Sequence, residues 1–319
     1  MLRRTIVSLA SLLAACQQEV CCAVDEPAEL IFASESRIVM IENFPAARVL
    51  DRNLSIYLPP GYDESDQRYP VIYAQDGQNL FEPGYSYGGE AWEVDAAMDR
   101  LIGTGAIEPA IVVGIWNSPQ RRRDYAPQSI VDNLPAEERA LVFETPNASA
   151  LADGYTDFLI RELKPYIDQT YRTRPDAAST SVMGSSMGGL ISLYTLGRFP
   201  EEVGQVAALS THWSIRVSGT LVGEEALRWQ QMLTPHWVTY LEAATFDPER
   251  HRIWMDHGTL NLDSLYPPYQ QAVDPVMGRL GFSEDSQFVS RVYDGADHNE
   301  AAWQARIDDV LIFLLATGQ

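Results

Sequence analysis

Six consecutive residues, Gly184-Ser185-Ser186-Met187-Gly188-Gly189, constrain this chain more than any other feature. They fit Gly-x-Ser-x-Gly with Ser186 at the centre. The segment Ser179–Met183 before them reads as a strand, and Met187 to about Arg198 reads as a helix. A serine at the tip of a tight strand–turn–helix needs strained backbone angles, and flanking glycines let strand and helix pass without side-chain collision. The helix N-terminus then directs its free amides at any negative charge developing beside the serine. Alone, the motif is common by chance and could be a plain glycine turn. Its setting between strand and helix favours the displayed serine.

The rest of the chain suits that setting. At 319 residues it could hold two average domains or one large α/β domain. No Ser/Gly-rich linker divides it, and no repeat with a period of about 20–50 residues is visible. Short apolar runs alternate with helical patterns, the mark of a mostly parallel sheet covered by helices on both faces. Arg48 to Leu58 alternates and closes at Pro59-Pro60-Gly61, which predicts an antiparallel opening. Further strands are expected at Tyr69–Ala74, Ala110–Ile115, Gln205–Leu209, Arg252–Met255 and Phe288–Tyr293. Residues 151–170 have helical spacing, and a last helix is expected from about Ala301 to Leu315. Residues 211–250, rich in Trp, Thr and Pro, break the alternation and suggest a small cap or side insertion. One catalytic domain over residues 25–319 accounts for the body.

A displayed serine needs a base. Of the five histidines, only His298 lies in a loop between a last strand and a last helix, where the chain order serine, acid, histidine requires it. The acid belongs after the penultimate strand. Asp263 precedes a helical stretch and can reach the histidine loop, so it is favoured over Asp256 at the strand end, with Asp297 and Glu300 behind. Two amides should hold an oxyanion, one from Met187 and one from the loop Gln75-Asp76-Gly77-Gln78 after the third strand, where Gln78 is the choice. Asp76-Gly77 could also be an ordinary turn.

Composition narrows the partners. The formal net charge is −21, a surface that repels phosphate backbones, so no nucleic-acid partner is expected. All three cysteines, Cys16, Cys21 and Cys22, lie near the N-terminus, which leaves the body without a disulfide framework, a thiol nucleophile or a finger-type zinc site. Arg3-Arg4 followed by an apolar run from Thr5 to Ala15 reads as an export signal, too short for a spanning helix of ~20 residues. Leu13-Ala14-Ala15-Cys16 resembles a bacterial lipoprotein cleavage site, which implies lipidation at Cys16. Residues 1–24 are thus expected to be leader and tether, membrane contact to run only through that lipid anchor, and the body to sit on the cell envelope. Ordinary export with cleavage near Ala23 is the alternative.

With these pieces assembled, the chain resembles the putative-esterase family of α/β hydrolases over roughly residues 35–319. That family includes enterochelin, feruloyl and acetylxylan esterases, S-formylglutathione hydrolases and mycolyltransferases. The resemblance rests on Tyr57-Leu58-Pro59-Pro60-Gly61-Tyr62, Tyr73–Phe81, Trp92 with Asp95, Glu162–Asp168, the run Gly184–Gly189 and Gly295-Ala296-Asp297-His298. It implies an α/β-hydrolase fold and a serine carboxylesterase that acts on a small-molecule ester through Ser186, His298 and Asp263, without metal or organic cofactor. It also implies an oxyanion amide from the Asp-Gly-Gln segment and an acid after a Gly-Thr loop, in keeping with Gln78 and Asp263. Trp116, the Arg121-Arg122-Arg123 cluster and Trp213 are candidate substrate contacts, although a solvated charge run and plain aromatic packing explain them equally well. An acyltransferase on the same fold and a non-catalytic binding lipoprotein are the rival readings.

Overall fold

The computed structural model describes residues 34–143, 148–216, 223–284 and 286–316. The leader, with Cys16, Cys21 and Cys22, lies outside the described residues. In chain order the strands are β1 (Arg37–Phe44), β2 (Arg52–Leu58), β3 (Val71–Gln75), β4 (Ile111–Ile115), β5 (Thr180–Ser185), β6 (Gln205–Leu209), β7 (Arg252–Gly258) and β8 (Phe288–Tyr293). They form one sheet in the order β1-β2-β4-β3-β5-β6-β7-β8. β1 and β2 pair antiparallel with each other, β2 pairs antiparallel with β4, and β4 through β8 run parallel.

The helices are α1 (Val94–Gly103), α2 (Arg121–Asp124), α3 (Gln128–Val131), α4 (Ala136–Val142), α5 (Ala152–Phe158), α6 (Lys164–Thr170), α7 (Met187–Arg198), α8 (Gly223–Ala243), α9 (Pro267–Arg279), α10 (Glu300–Gln304) and α11 (Ile307–Leu315). Side chains alternate across a strand, so each central strand feeds two cores. Val71 and Tyr73 of β3, Val113 of β4, Val182 of β5 and Ile253 of β7 face the core covered by α5 to α9. Ile72, Val112, Met183 and Trp254, each the immediate neighbour of one of these, face the core covered by α1 and α11. Strands buried on both faces read as unbroken apolar runs, which is why β3 and β4 are so plain in the sequence.

Three expectations are refined by the structure. The antiparallel opening is two strands, with Val49 and Leu50 in the connection ahead of β2. The helix over residues 151–170 is interrupted by a π-helical turn at Leu159–Leu163. The last helix is split at Arg306, whose φ of −123° and ψ of 7° leave the helical range.

The segment at 211–250 holds α8, the crossover helix between β6 and β7, so the alternation continues through it. Its buried positions, Trp229, Leu233, Trp237 and Leu241, recur every fourth residue and form one apolar face despite Pro235. The indoles are satisfied as well as buried. Trp229 Nε1 donates to the Ser214 carbonyl at 2.9 Å and Trp237 Nε1 to the Trp213 carbonyl at 2.8 Å. Truncating such an anchor removes both area and a filled volume. Trp237→Ala should cost about 3–5 kcal/mol, read as a lower urea midpoint with an unchanged far-ultraviolet dichroism spectrum before the transition.

Candidate active site

The C-terminal ends of the parallel strands deliver the polar residues, as open α/β sheets generally do. β5 ends at Ser185, and Ser186 then takes φ 57° and ψ −125°, a conformation that side chains rarely adopt. Main-chain bonds hold it there. Ser186 N donates to the Leu209 carbonyl at 2.9 Å, and the Ser186 carbonyl accepts from Gly189 N at 3.1 Å and His212 N at 3.2 Å. Gly184 is required by proximity, since a Cβ there would stand 2.7 Å from the carbonyl carbon of Gly188.

His298 comes from the loop between β8 and α10. Its Nε2 lies 2.9 Å from Ser186 Oγ, and its Nδ1 lies 2.6 Å from Asp263 Oδ1. Asp263 sits in a short helical turn after β7, fully buried. Its second oxygen accepts from Ser210 Oγ at 2.6 Å and from Gly258 N at 2.5 Å. Burial pushes this carboxyl upward, yet the bond and charge of His298, with Ser210 and Gly258, outweigh it and hold Asp263 below the usual carboxylate range. Serine, imidazole and carboxylate thus form one continuous chain of hydrogen bonds. Such a chain can move a proton off the hydroxyl while the carboxylate keeps the ring oriented.

The other acids have different partners. Asp256 accepts from Ser210 N at 2.9 Å, Trp254 Nε1 at 2.8 Å and Arg306 Nη2 at 2.8 Å, and burial raises its pKa. Asp297 accepts from the His298 amide at 2.7 Å and from Asn261 Nδ2 at 2.6 Å. Glu300 accepts from Asn79 Nδ2 at 3.3 Å.

Gln78 and Ser186 both line a cleft of about 1060 Å³, together with Asp76, Asn117, Arg121, His298, Glu300 and Trp303. The turn carrying Gln78 presses against β4, where a Cβ on Gly77 would meet Gly114 at 2.3 Å. Gln78 Oε1 accepts from Asn117 N at 3.2 Å, which ties this turn to the loop after β4. Met187 opens α7, and first-turn amides have no acceptor within their own helix.

Of the candidate substrate contacts, Arg121 lies on the cleft, bound through two nitrogens to Asp76 at 2.7 Å each. Trp116 does not line this cleft. It donates to Ser55 Oγ at 2.6 Å and walls a small neighbouring hollow with Tyr85. Trp213 is a core residue, because its indole packs edge-on to Trp237 at 5.2 Å and bonds Gln270 at 3.2 Å. Ser210, Trp303 and Arg306 escaped the sequence reading. A lone arginine inside the apolar stretch of the last helix was the available signal. Among the described residues, no group of three His, Cys, Asp or Glu is placed to hold a metal ion, and no helix is long and apolar enough to cross a membrane.

Comparison with known proteins gives the family and the likeness of fold. Residues 49–314 match the family model described as "Putative esterase". An uncharacterized Bacillus subtilis protein, YbbA, is 25% identical over 183 residues, 54% of this chain and 61% of its own length. An endo-1,4-β-xylanase/feruloyl esterase of Xylanibacter ruminicola is 31% identical over 175 residues, 54% of this chain and 20% of its own. The chain therefore spans less than two thirds of these curated relatives. A solved ferulic acid esterase superposes with a TM-score of 0.62 at 21% identity, covering 88% of this chain and 98% of that one, a likeness of fold.

His212 stands behind the base, its ring 6.4 Å from that of His298. Its Nδ1 lies 2.7 Å from the Tyr266 hydroxyl and its Nε2 3.1 Å from Ser214 Oγ. Burial, with His298 nearby, lowers its pKa to about 3, so the folded protein holds a neutral imidazole. In the unfolded chain this histidine binds a proton below about pH 6.5, which the folded state refuses until about pH 3. Between those values the unfolded state binds more protons, so stability falls as pH falls. The melting temperature of wild type should drop more steeply than that of His212→Gln between about pH 6.5 and pH 4.5. Parallel profiles would refute the buried neutral ring.

Proposed function

The chain belongs to the putative esterase family, and on that premise we propose that it hydrolyses carboxylic esters through an acyl-enzyme intermediate, with Ser186 as nucleophile, His298 as base and Asp263 as acid. The observation that carries this reading is the unbroken bond chain, 2.9 Å from Ser186 to His298 and 2.6 Å from His298 to Asp263, opening onto the cleft.

In this mechanism Ser186 Oγ attacks the ester carbonyl and its proton passes to His298 Nε2. Asp263, ionised and buried, holds the Nδ1 proton and stabilises the imidazolium without accepting that proton. The backbone amides of Met187 and Gln78 bind the tetrahedral oxyanion, where each such donor is worth about 10²–10³ in rate. The intermediate collapses, the imidazolium protonates the departing alkoxide, and an acyl group remains on Ser186. Water then enters, gives a proton to His298 and releases the acid. The many polar residues lining the cleft support water as acceptor, and its size suits a substrate of drug-like dimensions. The relatives named as feruloyl and ferulic acid esterases support a carboxylic ester as the bond cleaved.

The full chain should hydrolyse p-nitrophenyl esters, and Ser186→Ala should lower kcat by at least about 10³-fold with folding retained by circular dichroism. Asp263→Asn should lose a comparable factor. Asp256→Asn should chiefly lower the melting temperature, because Arg306 loses its buried counter-charge. Equal rates in wild type and Ser186→Ala would remove the serine from this role. The sequence Leu13-Ala14-Ala15-Cys16 supports placing the activity on the envelope. Labelled palmitate should be taken up by wild type in cells and not by Cys16→Ser.

A further inference from the structure

Behind the acid lies a group that the mechanism above does not use. Ser210 directly follows β6, fully buried and at a φ of 41°. Its hydroxyl oxygen receives two bonds, from Trp303 Nε1 at 2.9 Å and from Arg306 Nη2 at 2.7 Å. Neither an indole N–H nor a guanidinium can accept a hydrogen bond, and a hydroxyl has two lone pairs and one proton. Both lone pairs are therefore committed to donors. Among the described residues the proton has one acceptor left within reach, Asp263 Oδ2 at 2.6 Å. Arg306 is held by Asp256 at 2.8 Å, and the same Asp256 oxygen accepts from Ser210 N at 2.9 Å. The serine is thus fixed from its amide and from its hydroxyl at once.

We propose that Ser210 is a positioning residue for catalysis, its hydroxyl forced by Trp303 and Arg306 to donate to Asp263; the proposal rests on the triad reading above. Two donors into one oxygen polarise its O–H, which strengthens the bond it gives. That bond draws charge onto Oδ2 and pins the carboxylate plane, so Oδ1 stays aimed at His298 Nδ1. Trp303 links both ends of this arrangement, because its ring also packs edge-on against His298 at 5.1 Å.

The test is the pH profile of kcat/KM for p-nitrophenyl acetate with the full chain, in wild type, Ser210→Ala, Ser210→Cys and Ser186→Ala. The acidic limb reports protonation of His298. The groups facing it are Asp263, Asp297 and Glu300, neutral His212, Tyr266, and the Arg121–Asp76 and Arg306–Asp256 pairs, and all of them persist in the variants. Without the Ser210 bond, the carboxylate leans more heavily on the imidazolium and raises its pKa. Ser210→Ala should therefore move the acidic limb up by about half a pH unit or more and lower kcat roughly tenfold, with KM within about twofold. Ser210→Cys, which keeps the shape and a weaker donor, should move the limb in the same direction by less, and it decides the matter where Ser210→Ala does not fold. A limb unmoved or shifted downward in the folded Ser210 variants, while Ser186→Ala is inactive, overturns the proposal alone, whatever happens to kcat. Full turnover in Ser186→Ala overturns the triad reading and this proposal with it.

Discussion

Ser186 occupies a backbone conformation, φ 57° and ψ −125°, that costs about 1–3 kcal/mol and persists only where the surroundings over-determine it. Much of the architecture around it serves that end. The parallel pairing of β5 with β6 brings the Leu209 carbonyl to the Ser186 amide, and the turn after β6 brings the His212 amide to the Ser186 carbonyl. Gly184 allows α7 to start almost in contact with β5. The serine is displayed because its neighbours on two strands and one helix leave the chain no relaxed alternative.

The interior around the site also carries charge, and here magnitudes matter. A buried ion pair rarely stabilises a fold relative to apolar packing of the same shape, whereas breaking one costs about 3–5 kcal/mol. Arg306–Asp256 and Arg52–Asp124 are both buried on each side. What such pairs contribute here is placement. Asp124 ends α2, so its pairing with Arg52 of β2, at 3.5 Å, and with Ser118, at 2.7 Å, sets the helix that lines the cleft. Arg306 interrupts the C-terminal helix and turns inward to Asp256 and Ser210, coupling the last element of the chain to the ends of β6 and β7.

How legible this was in the sequence follows from locality. The buried strands, the turn at Ser186 and the loop position of His298 are short-range patterns, and the structure has them within three residues of the expected places. Element order leaves Asp263 and Asp256 as candidate acids, and in the fold it is the Asp263 side chain that meets the His298 imidazole. The Trp, Thr and Pro content of residues 211–250 suggests a small cap or side insertion, whereas the segment holds α8, whose Trp229, Leu233, Trp237 and Leu241 repeat at helical spacing. Trp213, a candidate substrate contact with plain packing as the alternative, packs in the core. The meeting of Ser210 with Trp303 and Arg306 is not a local pattern, since they lie 93 and 96 residues beyond it and only the sheet order brings them together.

The arginine triplet shows how misleading a local charge run is when its partners are distant in sequence. Read alone, Arg121-Arg122-Arg123 is a cationic patch in an acidic protein. In the fold, Arg121 is chelated by Asp76, which also takes Asn117 Nδ2 at 2.6 Å, and Arg123 donates to the Ser149 carbonyl at 2.9 Å. Glu300, its pKa raised chiefly by burial, stands on the same cleft. The cleft lining therefore combines the Arg121–Asp76 pair, Arg122 and Arg123 with a carboxyl that ionises reluctantly. That is a surface of hydrogen-bond donors and acceptors more than a field of one sign. Electrostatics at this cleft act through geometry at short range, because a paired charge contributes little beyond the roughly 8–10 Å screening length of physiological salt.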